Sequence, residues 1–187
     1  EPTTLISNPY MIAMDTRRNE IIVPNCVAQP RIATYPAGAD KNVPPSRIIE
    51  GQKTLLNRTV HAVAYDDLHD EIVVQSNIGQ AVVTYRGGAN GDEAPLRVIQ
   101  GPRTLLRDPQ TIFIDPVNNE IYALNMGTDD TVLVYDRMAN GDVAPKRVLK
   151  SPGAIGGVGA VDPVSNLLFL SGRNEGILVY PRTDRKS

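Results

Sequence analysis

Tyr35, Tyr85 and Tyr135 stand fifty residues apart, each closing an apolar run, and the residues around them repeat with the same step. A chain built from copies of one short unit has to bury its core between copies, because one unit cannot cover its own apolar surface. The best-preserved copy runs from Asp115-Pro116-Val117-Asn118-Asn119-Glu120 through Val132-Leu133-Val134-Tyr135 to Ala139-Asn140-Gly141-Asp142 and Arg147-Val148-Leu149. Its counterparts begin at Asp15, Asp66 and Asp162, and the fourth reaches Val179-Tyr180.

Each unit holds four short segments rich in Val, Ile, Tyr and Thr, separated by Gly, Pro, Asn and Asp, which is the pattern of strands joined by turns. In the third unit these are Gln110 to Ile114, Glu120 to Leu124, Thr131 to Tyr135 and Lys146 to Leu149, and no helix is required. Pro116 suits the second position of a type I turn. Asn90-Gly91 and Asn140-Gly141 predict tight hairpin turns with positive φ at the glycine. Val132 to Tyr135 are apolar on consecutive positions, so both faces of that strand must be covered. Four-stranded antiparallel sheets of this length, apolar on both faces, stack as propeller blades. Arg47, Arg97 and Arg147 place a charge in each fourth strand, fit for an outer edge.

The expected fold is therefore all-β: a β-propeller of four-stranded antiparallel blades, three complete and the last lacking its outer strand, with room for further blades. It reads as a single domain over residues 1–187, in units of about 1–50, 51–100, 101–150 and 151–187, since Gly and Pro are spread over the blade corners rather than gathered in a linker. The net charge of −2 gives no general pull toward nucleic acid or anionic membrane, and no apolar run approaches the roughly 20 residues of a spanning helix. With a single cysteine, Cys26, no internal disulfide forms, and its place after a second strand suits a small half-buried residue or a partner-linked thiol. The start at Glu1 without Met fits a mature or trimmed chain. Pro2, Thr4, Leu5 and Pro9 match Pro102, Thr104, Leu105 and Pro109, so Glu1 takes the place of Gly51 or Gly101 in a link between blades.

The unit resembles the NHL and YVTN-type β-propeller repeats, and is especially similar to bacterial extracytoplasmic repeat proteins with an Asp-Pro-x-Asn-Asn-Glu-Ile-Tyr turn and an Ala-Asn-Gly-Asp-x-Ala-Pro-x-Arg outer segment. Such propellers include binding modules, scaffolds, lactonase-like enzymes and a lyase family, so the resemblance implies a fold rather than an activity.

Candidate chemistry is sparse. His61, aligned with Met11 and Thr111 at the start of an innermost strand, either faces the central channel or is packed; His69, aligned with Asn19 and Asn119, reads as a turn residue. Asp15, Asp66, Asp115 and Asp162 recur in every unit, which favours backbone-capping turns over a calcium site. The recurring arginines read as partners of carboxylates more than as an anion ladder. The links with Lys53, Arg58, Arg103 and Arg107, and the loops with Asn25, Asn77 and Asn125, gather on one face that suits a binding partner; no aromatic residues interleave for stacking on RNA bases. The glycine-rich run from Gly153 to Gly159 has no helix after it and reads as a link between blades. Ile12, Val63, Ile112 and Gly157 would plug the channel.

These readings point to a non-enzymatic interaction or scaffold module outside the cytoplasm, periplasmic or secreted, that needs no cofactor or metal and binds a protein partner or larger assembly. No nucleic acid is expected as a partner. The alternative is a lactonase-like or lyase-like enzyme with its site at the channel. The fourth unit adds a contact surface, because its last strand, with Ile177, Leu178, Val179 and Tyr180, would leave an edge to be covered by residues missing from this chain or by a partner's strand.

Overall fold

Each fifty-residue unit becomes one antiparallel sheet. The computed structural model describes residues 3–26, 29–127, 130–150, 155–174 and 176–184. The first sheet orders β1 (Ala13–Asp15), β2 (Glu20–Pro24), β3 (Ile32–Pro36) and β4 (Arg47–Ile49) from centre to rim. The second orders β5 (Val63–Asp66), β6 (Glu71–Ser76), β7 (Ala81–Arg86) and β8 (Arg97–Gln100). The third follows with β9 (Pro109–Asp115), β10 (Glu120–Asn125), β11 (Thr131–Asp136) and β12 (Arg147–Lys150). The last has β13 (Ile155–Asp162), β14 (Leu167–Gly172) and β15 (Ile177–Pro181). The innermost strands β1, β5, β9 and β13 touch in sequence, so the sheets stack around an axis as a partial β-propeller. The expected strands lie within a residue of those observed, and among the described residues helix is confined to single 3-10 turns at Gln52–Thr54 and Pro102–Thr104 in the links.

Alternation along each strand sends one set of side chains to the preceding blade and the other to the next. On β11, Leu133 and Tyr135 join Val73, Val82 and Ile99 of the second blade, while Val132 and Val134 join Leu168 and Leu170 of the fourth. Ile22, Ile32 and Ile49 likewise close against Val63, Ile72 and Val83. The core is thus three apolar layers between blades, with a smaller cluster of Val23, Ala33 and Tyr35 on the outer flank of the first. Val63 and Ile112 belong to those layers rather than to a channel plug, and Ile12 is 61% exposed; an inner strand covers its neighbour's flank before it can fill the axis.

Recurrent polar bonds fix each blade to the next. The Tyr35, Tyr85 and Tyr135 hydroxyls donate to the carbonyls of Thr4, Thr54 and Thr104 in the links. Thr54 and Thr104 are fully buried, and each hydroxyl donates to the carbonyl of Gly51 or Gly101. The expected hairpins at Asn90-Gly91 and Asn140-Gly141 are replaced by an inter-blade clamp. Both glycines do have positive φ, 69° and 81°, but the loops they sit in run from Arg86 to Arg97 and from Asp136 to Arg147. Gly91 N donates to Ile48 O at 2.6 Å and Glu50 N donates to Gly91 O at 3.2 Å, so the segment docks on the rim strand of the preceding blade. Gly141 repeats this on Val98 and Gln100. Asp92 and Asp142 then cap the links, accepting from Lys53 N and Arg103 N at 2.7 Å. Gly51 and Gly101, with φ of 127° and 133°, leave room for those two carboxylates, which any Cβ would strike.

The glycine-rich run is also placed differently. Gly156, Gly157 and Gly159 belong to the inner strand β13 instead of a link, because a Cβ at 159 would overlap the Phe113 ring of the third blade. Gly153 and Ala154, like Glu1 and Pro2, lie outside the described residues.

Tyr135→Phe removes one hydroxyl and orphans a buried carbonyl, so it should lower stability by about 1–2 kcal/mol, a fall in Tm of roughly 2–4 °C per kcal/mol for a domain of this size. Thermal unfolding measures it, and an unchanged Tm would contradict the role of the tyrosine tie.

Candidate functional site

One end of the propeller is a lattice of carboxylates and guanidinium groups. Asp15, Asp66, Asp115 and Asp162 each accept backbone N–H bonds within their own turn, from Arg17 and Arg18, His69, Asn118, and Val164 and Ser165. Left-handed φ falls on Asn19, Asp70, Asn119 and Asn166. This corrects the alignment of the histidines: His69 stands at the place of Arg18 and Asn118, and its Nδ1 lies 2.8 Å from Asp66 Oδ2. Counted from the same Asp, His61 stands with Tyr10 and Gln110, and it packs against the Tyr10 ring at 5.1 Å.

The fourth-strand arginines turn inward to acids. Arg47 meets Glu20 at 2.5 Å, Arg97 meets Glu71 at 2.5 Å, and Arg147 holds Glu120 by two bonds of 2.7 Å. The following blade adds a second cation, Arg137 at 3.0 Å from Glu71 and Arg182 at 2.6 Å from Glu120. Burial alone would raise the Glu120 pKa, yet the Arg147 guanidinium and the Tyr122 hydroxyl more than offset it and hold the carboxyl at about 2. The bond from Arg18 holds Asp70 at about 2 as well. These charges tie blades together and are occupied with one another, which is why they read as structure.

At the opposite end the links do gather beside the loops after the second strands, but the asparagines do not form a surface. Asn25 and Asn125 are only 2% and 3% exposed. Asn25 donates to Leu5 O and accepts from Ser7 N, and Asn125 donates to Leu105 O and accepts from Arg107 N. Short side chains at these sites satisfy the backbone of a link that has no ladder of its own. Asn77 is one residue out of register with them and donates to Asp108 and to Pro109 O. Lys53, Arg58, Arg103 and Arg107 are exposed along this end. Two equivalent open grooves sit here, of about 580 Å³ beside Gln29, Glu50 and Leu56 and about 490 Å³ beside Gln80, Gln100 and Leu106. Cys26 is 3% exposed, tighter than expected for a loop, and burial raises its pKa. Among the described residues no group of three or more His, Cys, Asp or Glu side chains is placed to hold a metal ion.

The fourth blade exposes what the others bury. Ile177 and Val179 are 73% and 51% exposed, and Phe169 beside them is half-buried, whereas Val132, Val134 and Tyr122 at the same places in the third blade are at most 2% exposed. Leu178 and Tyr180 point the other way and pack on the third blade. Among the described residues β15 has β14 as its only strand partner.

No family model matches the chain, and no curated protein matches it. Solved structures do resemble it in shape. Hydrazine synthase of Kuenenia stuttgartiensis superposes with a TM-score of 0.71 at 13% identity, over 96% of this chain and 47% of that one. A Bacteroides uniformis protein provisionally assigned as a 6-phosphogluconolactonase gives 0.70 at 15% identity, over 94% and 51%. A chain of the mitotic checkpoint complex gives 0.70 at 12% identity, over 94% and 49%. The likeness establishes a propeller-type fold, and the chain spans about half the length of these structures. Among the described residues no helix is long and apolar enough to cross a membrane.

Because Glu120 is ionised far below the ordinary glutamate range near 4.3, its contribution to stability is fully present above about pH 5 and is lost as pH falls toward 2. Denaturant unfolding between pH 7 and 2 should show this loss, and Glu120→Gln should be less stable at pH 7 with a flatter acid limb. An unchanged acid limb would mean that Glu120 is not held by Arg147.

Proposed function

We propose that the chain is a non-catalytic interaction module of the NHL/YVTN type that works outside the cytoplasm, joining a protein partner into a larger assembly. The observation that carries this reading is the apolar flank of the fourth blade, where Ile177 and Val179 are exposed and Phe169 is half-buried, a surface that fits a contact with a partner or with a further blade. Exposed apolar surface of this kind marks a contact site. The ionisable residues lend further support, since the recurrent acids and arginines bond to one another within blades and, through Arg137 and Arg182, across them. That one solved relative in shape belongs to a multi-protein complex accords with the proposal.

The second reading, a lactonase-like or lyase-like enzyme with a site at the central channel, draws on His61, whose Nδ1 is buried without a hydrogen-bond partner beside Tyr10. One unpaired ring nitrogen has no nucleophile or acid placed with it here, so it makes the weaker case.

Site-specific photocrosslinking separates them. A crosslinker at position 177 should yield a discrete adduct with another protein in the native source, and one at position 164, a turn that is 93% exposed, should not. Equal labelling from both positions, or none from 177, would contradict the interaction reading; loss of a lactone-opening activity in His61→Ala would establish the other.

A further inference from the structure

Asn-Gly occurs twice in the chain, at Asn90-Gly91 and Asn140-Gly141, and both copies sit in the clamp between blades. An asparagine followed by glycine loses its side-chain amide readily, because the nitrogen that attacks the amide carbon belongs to the next residue and glycine puts no side chain in its way. Space does not demand the glycine here. A Cβ at 91 or 141 would meet nothing within 4 Å, and the first unit places Lys41 at φ 63° at the equivalent point.

The clamp engages both reacting groups. Gly91 N donates to Ile48 O at 2.6 Å, while Asn90 Oδ1 accepts from Ile48 N at 3.0 Å. At the next junction Gly141 N donates to Val98 O at 2.6 Å, and Asn140 Oδ1 accepts from Val98 N at 2.9 Å. A peptide nitrogen attacks only after giving up its proton, and here that proton is held in a short bond to a carbonyl. The donor at Oδ1 polarises the amide carbon and by itself favours attack; with the nitrogen engaged elsewhere, that polarisation has no nucleophile to act on. Asn90 and Asn140 are exposed, so these bonds and not burial form the barrier.

We propose that Asn90 and Asn140 are deamidation sites gated by the clamp, and that modification of either unlocks its own junction. When the blades part locally, Gly91 N loses its proton to hydroxide and attacks Asn90 Cγ. The new C–N bond closes a succinimide ring, and the side-chain nitrogen leaves as ammonia. Water then opens the ring. Addition at Cγ gives aspartate with the backbone unchanged; addition at the α-carbonyl gives isoaspartate, in which the chain runs through Cβ and Cγ. No electrons are transferred, and the sum is one water consumed and one ammonia released. Aspartate keeps an acceptor for Ile48 N and leaves Gly91 in place. Isoaspartate lengthens the backbone by one carbon just before Gly91, whose N and O make the bonds to Ile48 and Glu50. It also shifts Asp92, which caps Lys53 N at 2.7 Å. At 140 the same change displaces Gly141 and the Asp142 cap on Arg103 N. The product thereby keeps open the junction whose opening formed it.

The test ages the full chain in mildly alkaline buffer, folded and in denaturant, and follows amide loss and isoaspartate at 90 and 140 by mass spectrometry of the peptides. The clamp bonds should slow both sites at least about tenfold in the folded chain. Ile48→Pro removes the N–H that faces Asn90, a change that an outward-facing strand edge accepts, and should speed amide loss at Asn90 alone. Val98→Pro should do so at Asn140 alone. Equal rates folded and unfolded, no acceleration, or acceleration of both sites together by either variant would overturn the gate, the last assigning the chemistry to global unfolding. For the product, chain aged in denaturant and returned to native buffer is separated into its aspartyl and isoaspartyl forms at 90. The amides of Ile48 and Glu50 should exchange rapidly in the isoaspartyl form and slowly in the aspartyl form. Like protection in both would overturn the unlocking. Should a proline variant fail to fold, the folded-to-unfolded ratio and the exchange of the two products still decide.

Discussion

A strand that is apolar on both faces cannot rest in water on either side, and this constraint organises the molecule. Val132, Leu133, Val134 and Tyr135 all lie at most 2% exposed because one pair packs on the second blade and the other on the fourth. Three of the four apolar clusters belong to two sheets at once, and the fourth, around Val23, Ala33 and Tyr35, lies on the outer flank of the first sheet. The polar ties follow from the same requirement. Once two blades are pressed together, the link between them is buried at Thr54 or Thr104, so its carbonyl needs the tyrosine hydroxyl and its amides need the aspartate. The tyrosine that opened the repeat is thus the residue whose ring sits in the layer and whose hydroxyl closes the link.

The fold was legible because period and turn chemistry are local signals. Fifty-residue spacing, two-sided apolar runs and Asp-anchored turns pointed to stacked antiparallel blades, and the strands fall where those signals put them. What escaped was set by contacts between units. Asn-Gly reads as a hairpin within one unit, yet Gly91 and Gly141 bond to the preceding blade, a choice made by a strand more than forty residues away. Gly156, Gly157 and Gly159 read as a link, yet they lie in the inner strand β13, where the missing side chain of Gly159 admits Phe113 of the third blade. Asn25 and Asn125 look like surface residues by type, and only the course of the link shows them buried. A signal for the Asn-Gly clamp was present all the same: the acid that follows it, Asp92 or Asp142, recurs with the glycine at 51 or 101 that it displaces into positive φ.

The recurrent charges were legible in kind. Arg47, Arg97 and Arg147 pair with Glu20, Glu71 and Glu120, and the fourth blade carries Leu167 at the place of those glutamates.

The central claim is that each blade is stabilised by its neighbours rather than by its own sheet. Residue-resolved native-state hydrogen exchange at increasing denaturant tests it most directly. The account predicts that amides of β6, β7, β10 and β11, covered on both faces, exchange only through the global unfolding, while those of β14 and β15 open at distinctly lower free energy. Uniform protection across all four blades would contradict it.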